Sequence, residues 1–406
     1  MKKAATYCAL DVSSSDISCV LACVNNSGKI VESHYQNGPS SGFQNAKIID
    51  AGRLSEAISA VMNKLQAASP YKIKSVYASC SGANVLCRHS IGVIPLSERA
   101  NKIITLNDIR KVNDQAYSLG VKIEEEVLHR IPQGYTVDGQ DKILRPEGLY
   151  GRRLEVDLLL LGLLSSESET LVSAIDRAGF SVALVALSAL VSSTAVAGKD
   201  TKEKGCCFLD IQADTTQLII FKDGILRGAE SFNFGANSLS AAICAELKVP
   251  MALAEGIKNS YGCASSVNVD PEQEVLIKNA QGYRPIKRKI ICGAIENRLN
   301  EFFSLAKEKL QRYNKNYILT EGVIASGKTA LMEGFLEVTE AAFSMPVGLA
   351  KISEPSQKDL IYSPCIGLIK YAWAINPQIN LFKMSSEGNV FHKIMRKSVE
   401  IYQEYF

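Results

Sequence analysis

The sequence predicts an α/β protein made of two related halves, and three observations support this prediction. Residues 208–224 (FLDIQADTTQLIIFKDG) read as two short apolar strands joined by a polar turn, with Asp210 inside the first strand. Residues 9–33 follow the same plan and carry Asp11 at the matching position. A repeat at about 200 residues indicates two half-molecules, because a solenoid has a far shorter period. The length of 406 residues also exceeds what one core usually supports.

The two strand–turn–strand segments indicate a cleft that holds phosphates and a metal ion. A carboxylate among apolar residues is costly unless a cation or a donor stabilises it, so Asp11 and Asp210 are the candidate Mg²⁺ ligands. The turns add further polar groups on the phosphate side: Ser13, Ser14, Ser15, Asp214, Thr215 and Thr216. Two such halves facing each other have the layout of the actin, Hsp70 and sugar-kinase fold. An ordinary hairpin with a solvated carboxylate is the alternative for either segment alone.

Composition argues against several other classes. Apolar residues make up 47% of the chain and charged residues 21%, which is ordinary for a globular protein. A net charge of +3 gives no reason to expect a nucleic-acid partner. The 4 scattered histidines argue against a zinc site, and the 11 cysteines without a CxxC pair favour free thiols in a reducing cytosol. No apolar run is long enough to span a bilayer, and the short run before Asp11 is unlike a signal peptide.

Periodicity predicts the remaining elements in chain order. Apolar residues at helical spacing predict helices over residues 54–65, 106–119, 171–178, 190–196 and 290–310. Apolar runs predict strands over residues 73–79, 126–131, 154–164 and 182–187. Either Thr105 or Asn107 can cap the helix that begins near residue 106. Alternating helices and strands agree with the α/β class.

A turn-rich stretch carries a resemblance to a known family. Residues 128–161 (LHRIPQGYTVDGQDKILRPEGLYGRRLEVDLLLL) resemble the FtsA family of bacterial cell-division proteins, which shares a Leu-His…Pro…Tyr/Phe-x-Val-Asp-Gly-Gln segment. That segment is followed in the family by Pro-x-Gly-Met-x-Gly-x-Arg-Leu-Glu-Val. The resemblance continues through residues 254–258 (AEGIK) and 284–286 (RPI), and it covers nearly the whole chain.

The resemblance implies a specific division of the chain. The expected fold is the actin/Hsp70-like two-domain fold with an FtsA-type inserted, SHS2-like subdomain and a C-terminal amphipathic helix. The implied boundaries are domain 1A at 1–81, 165–198 and 360–375, subdomain 1C at 82–164, domain 2A at 199–240 and 307–359, domain 2B at 241–306, a linker at 376–389 and a membrane-targeting helix at 390–406.

The resemblance also implies a function and further site residues. FtsA-like proteins bind ATP, polymerise and tether FtsZ to the cytoplasmic face of the inner membrane at the division site. Alignment with the family adds four nucleotide contacts: Gly235, Glu255, Lys258 and Gly322. It also places the binding surface for the C-terminal tail of FtsZ within residues 241–306 of this chain. Three residues supply positive charge there: Arg284, Lys287 and Arg288. A PilM-like pilus-assembly protein and a small-molecule kinase of the same superfamily are the alternatives.

Departures from the family pattern fall on the nucleotide site. The family's Asp-Ile-Gly-Gly-Gly-Thr-Thr-Asp is DIQADTTQ here, so Gln212 and Asp214 replace two glycines that would let backbone donors approach a phosphate. The first turn has also lost its glycine, and Ser188 stands where the family has Glu. We therefore expect weak or absent ATP hydrolysis and a role other than enzyme catalysis.

One motif resembles a different site. Residues 322–329 (GVIASGKT) match the P-loop pattern G-x-x-x-x-G-K-[ST], and a strand over 317–320 and a helix over 329–343 would give it the right context. Only residues 330–406 follow, however, and no strand among them ends in a metal-binding Asp. The family resemblance assigns this stretch to the adenosine side of the cleft instead.

The end of the chain predicts a membrane anchor. Residues 390–406 follow a polar, turn-rich linker and have an apolar stripe at helical spacing: Phe391, Ile394, Met395, Val399, Tyr402 and Phe406. An amphipathic helix after a linker favours binding in the plane of a membrane surface. A last helix docked on the core is the alternative. PilM-like proteins generally lack such an anchor, which favours the FtsA type.

Overall fold

The amino-terminal hairpin is the centre of the first sheet. The computed structural model describes residues 5–82, 84–98, 100–279, 282–314, 317–354 and 359–375. Its first elements are β1 (Ala5–Val12), β2 (Asp16–Val24), β3 (Ile30–Pro39), β4 (Phe43–Gln44), β5 (Lys47–Ile48), α1 (Ala51–Ala67) and β6 (Ser75–Cys80). β1 and β2 are almost wholly buried, and β1 pairs antiparallel with β2 and parallel with β6. The Asp50 carboxylate caps α1.

An inserted subdomain follows β6. Its elements are β7 (Leu86–Pro95), β8 (Lys102–Ile103), α2 (Leu106–Gly120), β9 (Glu125–Val137), β10 (Gln140–Ile143), β11 (Tyr150–Gly151) and β12 (Arg153–Leu164). The sheet has the order β10-β9-β12-β7, and α2 packs on it with Val112 and Ala116 buried. Thr105 and Asp108 form a capping box at the start of α2, so Thr105 rather than Asn107 is the cap. A Cβ at Gly92 would lie 2.5 Å from the Val112 carbonyl, so glycine permits this close packing.

The chain then returns to the first sheet and crosses to the second domain. The elements are α3 (Ser165–Arg177), β13 (Ser181–Leu187), α4 (Ser188–Val196) and α5 (Lys199–Lys204). β13 pairs parallel with β6 and completes a five-stranded sheet of order β13-β6-β1-β2-β3. Every residue of α4 from Ser188 to Ser193 is buried, as expected for a helix between two sheets.

The second domain repeats the first sheet. Its elements are β14 (Cys206–Ile211), β15 (Thr216–Lys222), β16 (Ile225–Phe232), α6 (Ala236–Leu247), α7 (Met251–Tyr261), β17 (Glu274–Asn279), β18 (Gly282–Lys287), α8 (Arg288–Asn314), β19 (Val323–Ser326), α9 (Phe335–Phe343) and β20 (Val347–Leu349). The last helix, α10 (Ser363–Ile375), returns to the core of the first domain. The order β16-β15-β14-β19-β20 matches the first sheet, with an antiparallel hairpin beside two parallel strands. The predicted fold class is confirmed, while the exact subdomain boundaries stay predictions.

The inserted subdomain contacts the second domain as well as the first. The Gln133 amide on β9 donates to the Leu226 carbonyl on β16 at 2.8 Å, and Arg227 donates back to the Gln133 carbonyl at 3.3 Å. The Gly82 carbonyl, where the insert begins, accepts from Gln217 and Ser231 at 3.3 and 3.0 Å. The insert is therefore fixed to both halves of the molecule.

Two expectations around the P-loop-like motif are wrong. Residues 317–320 form no strand, and Ile318 is 76% exposed. The strand is β19, which runs through the middle of the motif between β14 and β20. A 3₁₀ turn (Lys328–Leu331) comes next, and Gly334 at φ 77° separates it from α9. Because the motif is a strand rather than a loop, it cannot wrap a phosphate as a P-loop does, which agrees with its assignment to the adenosine side.

The predicted linker at 376–389 and the predicted helix at 390–406 lie outside the described residues. Among the helices that the structure describes, none has both the length and the apolar character that a bilayer span requires.

Candidate nucleotide-binding cleft

Asp11 lies near the end of β1 and is buried. The hydroxyls of Ser79 and Ser188 donate to its Oδ1 atom at 2.7 and 2.5 Å. Burial raises the pKa of Asp11 to about 6; the hydrogen bonds from Ser188 and Ser79 oppose this shift, and the negative charge of Asp210 adds to it. Ser188, which replaces the family's Glu, thus contacts the candidate metal ligand directly.

Asp210 has the equivalent position on β14 in the second domain. The Gln212 amide donates to its Oδ2 atom at 2.8 Å. Burial raises its pKa to about 6, and hydrogen bonds from Gln212 and Ser326 oppose the shift. The structure therefore brings the two predicted carboxylates within electrostatic reach of each other. Gln212, one of the residues that replace glycine, donates a hydrogen bond to the carboxylate of Asp210.

The first turn is closed by its own serines. Ser13 Oγ donates to the Asp16 carbonyl at 2.9 Å and accepts from the Asp16 amide at 3.1 Å. Ser14 Oγ accepts from the Ala46 amide at 3.4 Å. The carbonyl of Ser15 accepts from the Ser40 amide at 3.1 Å, while its side chain is exposed. The hydroxyls of Ser13 and Ser14 are thus already engaged by the chain.

The second turn contacts both domains. Asp214 Oδ2 accepts from the Asn45 amide of the first domain at 2.7 Å, and Oδ1 accepts from the Asn237 side chain at 2.8 Å. Thr215 is buried, and its carbonyl accepts from the Gln212 amide at 2.9 Å. The hydroxyl of Thr216 donates to the Phe234 carbonyl at 2.8 Å. The carboxylate of Asp214 therefore bridges the cleft.

The start of α6 is occupied by the same turn. A helix N-terminus often binds an anion through its free amides. Here the Ala236 amide donates to the Gln212 carbonyl at 3.0 Å and the Asn237 amide donates to the Ala213 carbonyl at 2.8 Å. A Cβ at Gly235 would lie 2.5 Å from the Ala213 carbonyl oxygen, so glycine permits the contact. Two donors that a phosphate would need are used by the turn.

Of the residues aligned with nucleoside contacts, Lys258 and Gly322 have structural roles in the fold. Lys258 is buried on α7, its Nζ donates to the Ala236 carbonyl at 3.0 Å, and burial lowers its pKa. Glu255 lies exposed one turn earlier. Gly322 has φ 66°, and a Cβ there would lie 2.0 Å from the Pro346 carbonyl oxygen, so the backbone itself requires glycine.

The residues predicted to bind a partner divide into two kinds. Arg284 is exposed on β18. Lys287 pairs with Glu272 at 3.1 Å, and Arg288 pairs with Glu333 at 2.7 Å while donating to the Tyr261 carbonyl. Two of the three predicted cations are therefore already paired, which makes Arg284 the most informative residue for a test.

A buried histidine connects the insert to the cleft. His129 on β9 accepts from the Leu187 amide through Nε2 at 3.2 Å, and its Nδ1 lies 3.3 Å from the Tyr371 hydroxyl on α10. Burial lowers the pKa of His129 to about 3. The neutral ring thus holds the strand end that precedes Ser188, the residue that donates to Asp11.

Sequence reasoning missed the residues that complete the cleft: Ser79, Ser326, Asn45 and Asn237. The two serines could have been found from the sequence, because the strands that pair parallel with β1 and β14 read VYAS and VIAS (residues 76–79 of β6 and 323–326 of β19). The two asparagines had no such signal in the sequence: the Asn45 contact with Asp214 depends on how the two domains meet, and the Asn237 contact depends on how α6 packs beside the second turn.

ATP and Mg²⁺ fit this cleft only in part. Asp11 and Asp210 have the chemistry of Mg²⁺ ligands. A cation bound by them would offset the cost of burying their negative charges, the cost that raises their pKa values. No group of three or more potential metal ligands occurs within the described ranges. On the phosphate side, donors at Asn45, Ala236 and Asn237 are all satisfied by the chain. A phosphate at these donors would have to displace Asp214 from Asn45 and the turn carbonyls from the Ala236 and Asn237 amides.

The fold and the cleft define an actin-like protein, with two sheets of equal order and an insert between β6 and α3 of the first half. Solved structures agree on the fold. The chain resembles the PilM–PilN type IV pilus biogenesis complex with a TM-score of 0.62 and 12% identity, covering 89% of this chain and 97% of the other. It resembles MreB5 of Spiroplasma citri bound to ADP with a TM-score of 0.55 and 12% identity, covering 93% and 99%.

Sequence comparison gives the family. Residues 82–161 match the family described as SHS2 domain inserted in FTSA, and residues 207–371 match the family Cell division protein FtsA. The Cell division protein FtsA of Borreliella burgdorferi is 30% identical over 403 residues, which is 96% of each chain. This chain belongs to the FtsA family of the actin-like superfamily, as the resemblance in its sequence predicts.

Proposed function

We propose that this protein is a cell-division scaffold that tethers FtsZ polymers to the cytoplasmic face of the inner membrane. In this proposal it assembles into actin-like filaments and hydrolyses ATP weakly or not at all. One observation carries the proposal: an FtsA-type insert on an actin-like frame whose phosphate-side donors are held by Asp214 and its turn. Such a cleft supports a scaffold better than it supports a phosphoryl-transfer enzyme.

Nucleotide binding remains part of the proposal. The MreB5 neighbour contains ADP, which supports a nucleotide at the equivalent cleft of this fold. In this chain Asp11 and Asp210 would hold Mg²⁺, whose role would be to neutralise charge on the phosphates. Lys258 Nζ donates to the Ala236 carbonyl and, as an ammonium with three donors, could also contact the nucleoside side. The assignment of all these residues to ATP stays a prediction.

The FtsZ tail would bind to the second domain. Residues 241–306 include the hairpin β17–β18, where Leu276 and Tyr283 are 62% and 69% exposed beside Arg284. Exposed apolar side chains next to a cation suit a short tail that is both apolar and acidic. This surface lies on the second domain.

The membrane contact would come from residues 390–406. Each large apolar side chain is worth roughly 1.5–3 kcal/mol when fully transferred from water. Partial insertion and ordering reduce the sum for six of them to about 5–8 kcal/mol. That supports reversible binding of a monomer and stable binding of a filament, because assembly multiplies a modest affinity.

A reconstitution tests the tether. FtsZ polymers should sediment with anionic vesicles only when the full chain is present. A chain truncated after Asn389 should still bind FtsZ but no longer bring it to vesicles, and Phe391→Glu with Ile394→Glu should act in the same way. If FtsZ fails to sediment with vesicles in the presence of the full chain, the proposed tether is wrong.

A PilM-like role is the second candidate. The TM-score of 0.62 to the PilM–PilN complex concerns the shared fold at 12% identity. The family match favours cell division over pilus assembly. A small-molecule kinase is less favoured, since Gln212 and Asp214 occupy the place of the phosphate-binding glycines.

A further inference from the structure

We propose that Asp214 is a built-in clamp that holds the cleft closed without a nucleotide. Its carboxylate takes one hydrogen bond from each domain and so acts as an anion that is covalently part of the chain. The inference deepens the proposed nucleotide site, and rests on it only for the response to ATP. The ligand-free conformation that it predicts does not depend on FtsZ, on a membrane or on hydrolysis.

The donor on the first domain comes from an unusual turn between β4 and β5. Asn45 and Ala46 have φ values of 51° and 54°, in the left-handed region that residues with a Cβ rarely adopt. This conformation directs successive amides to two acceptors in the two phosphate-side turns, Asp214 Oδ2 at 2.7 Å and Ser14 Oγ at 3.4 Å. The side chain of Ala46 is buried, which fixes the turn on the core of the first domain.

The donor on the second domain comes from α6. The Asn237 side chain donates to Asp214 Oδ1 at 2.8 Å, and the Asn237 amide is itself bonded to the Ala213 carbonyl at 2.8 Å. Both oxygens of one carboxylate are thus engaged, and hydrogen bonds to an ionised group are stronger than neutral ones. The bond from Asn237 is partly buried, so water screens it less than it would on an open surface, while the bond from Asn45 lies at the exposed edge of the cleft.

A second contact across the cleft is weaker. Lys328 lies 3.6 Å from Asp16, but its side chain is 81% exposed, and exposed ion pairs contribute little. Among the contacts at this edge that the described residues make, Asp214 therefore forms the stronger bridge between the domains.

The clamp changes what a nucleotide can do. A ligand shifts a conformational equilibrium only by its difference in affinity for the two states. If Asp214 already joins the domains, an entering phosphate has to displace a carboxylate that the chain holds nearby. Binding of the nucleotide then brings the two domains little closer together than they already are. Closure of this cleft is then nearly independent of ATP.

Hydrogen exchange of the full chain without nucleotide tests the clamp. In Asp214→Ala, amides of residues 43–48 should exchange faster by roughly one to two orders of magnitude, the effect of losing hydrogen bonds to a charged group. Asp214→Asn keeps one acceptor oxygen and should give an intermediate rate. Asp176→Ala, at an exposed position of α3, is the matched control and should leave the rate unchanged. Unchanged exchange in β12 would show that each variant is folded.

The opposite result is clear. If residues 43–48 exchange at the same rate in Asp214→Ala as in the unaltered chain, Asp214 does not hold the cleft and the inference is wrong. Addition of Mg²⁺ and ATP should slow exchange in Asp214→Ala but barely change the unaltered chain. Equal protection of both chains by ATP would also overturn the inference. If ATP protects neither, the first measurement still supports the clamp, and ATP is removed from the proposed function.

Discussion

Asp11 and Ser79 are register partners on the adjacent parallel strands β1 and β6, and the Ser79 hydroxyl donates to Asp11 Oδ1 at 2.7 Å. The second half repeats this relationship, because Asp210 and Ser326 are register partners on β14 and β19. In each half a hydroxyl from the neighbouring strand stabilises a buried carboxylate. The internal duplication thus includes the supporting residue as well as the carboxylate.

Removing the Ser79 hydroxyl should destabilise the protein. In Ser79→Ala the buried Asp11 loses one of its two hydrogen bonds, which should lower the free energy of unfolding by about 1–3 kcal/mol. Urea denaturation measures the change. Ser168→Ala is a matched control, because Ser168 is buried on α3 and its hydroxyl has no partner among the described residues. That variant should be neutral or slightly stabilised, and an equal loss in both would contradict a specific role for Ser79.

ATP turnover should be far slower than in a kinase. Losing one positioned donor in a catalytic site often costs roughly 3 kcal/mol of transition-state stabilisation. Here the glycines of both turns are replaced and Ser188 stands where the family has Glu. Phosphate release should remain well below about 1 per second, the lower end for kinases. Asp210→Asn controls for contaminating activity and should not lower the measured rate appreciably. Turnover at kinase speed that is lost in Asp210→Asn would contradict the scaffold proposal.

Reversing the charge of Arg284 should weaken binding of the FtsZ tail. Arg284 is exposed on β18, whereas Arg288→Glu would also break the ion pair with Glu333 and so confuse binding with stability. Arg284→Glu should reduce affinity for a tail peptide about two- to tenfold and reduce its dependence on salt. Fluorescence anisotropy at two salt concentrations measures both effects. Lys64→Glu, exposed on α1 of the first domain, makes the same change in net charge and should have no effect.

The sequence was most informative where a feature occurs twice. The hairpins around Asp11 and Asp210 predicted two equivalent halves, and the observed sheets have the same order. The prediction of a strand over residues 317–320 is wrong. A short apolar run indicates a strand only locally, whereas pairing with β14 determines that the strand forms at β19. The Asp214 contact could not be predicted, since Asn45 lies 169 positions away and meets it only when both domains are folded together.

The pH dependence of stability should report the buried His129. Its pKa is lowered to about 3 in the folded protein, below its usual value of 6.5, so the unfolded chain binds one more proton between these two pH values. The stability that neutral His129 contributes is therefore complete above pH 6.5 and is lost as the pH falls toward 3. One proton corresponds to a slope of about 1.4 kcal/mol per pH unit in the unfolding free energy.

The variant His129→Gln isolates this effect. Glutamine cannot titrate, but its side-chain oxygen can accept the hydrogen bond that Leu187 now donates to Nε2. Between pH 4 and 6, the slope of unfolding free energy against pH should be less positive in His129→Gln than in the unaltered chain by about 1.4 kcal/mol per pH unit. Taking the difference between the two chains removes the opposite contribution of Asp11 and Asp210, whose raised pKa values favour the folded state at low pH. Tyr371→Phe removes only the hydroxyl near Nδ1, keeps the imidazole buried and should retain the slope of the unaltered chain. Parallel slopes for His129→Gln and the unaltered chain would mean that His129 is protonated in the folded protein, and a neutral ring joining the insert to Leu187 would then be the wrong description of this junction.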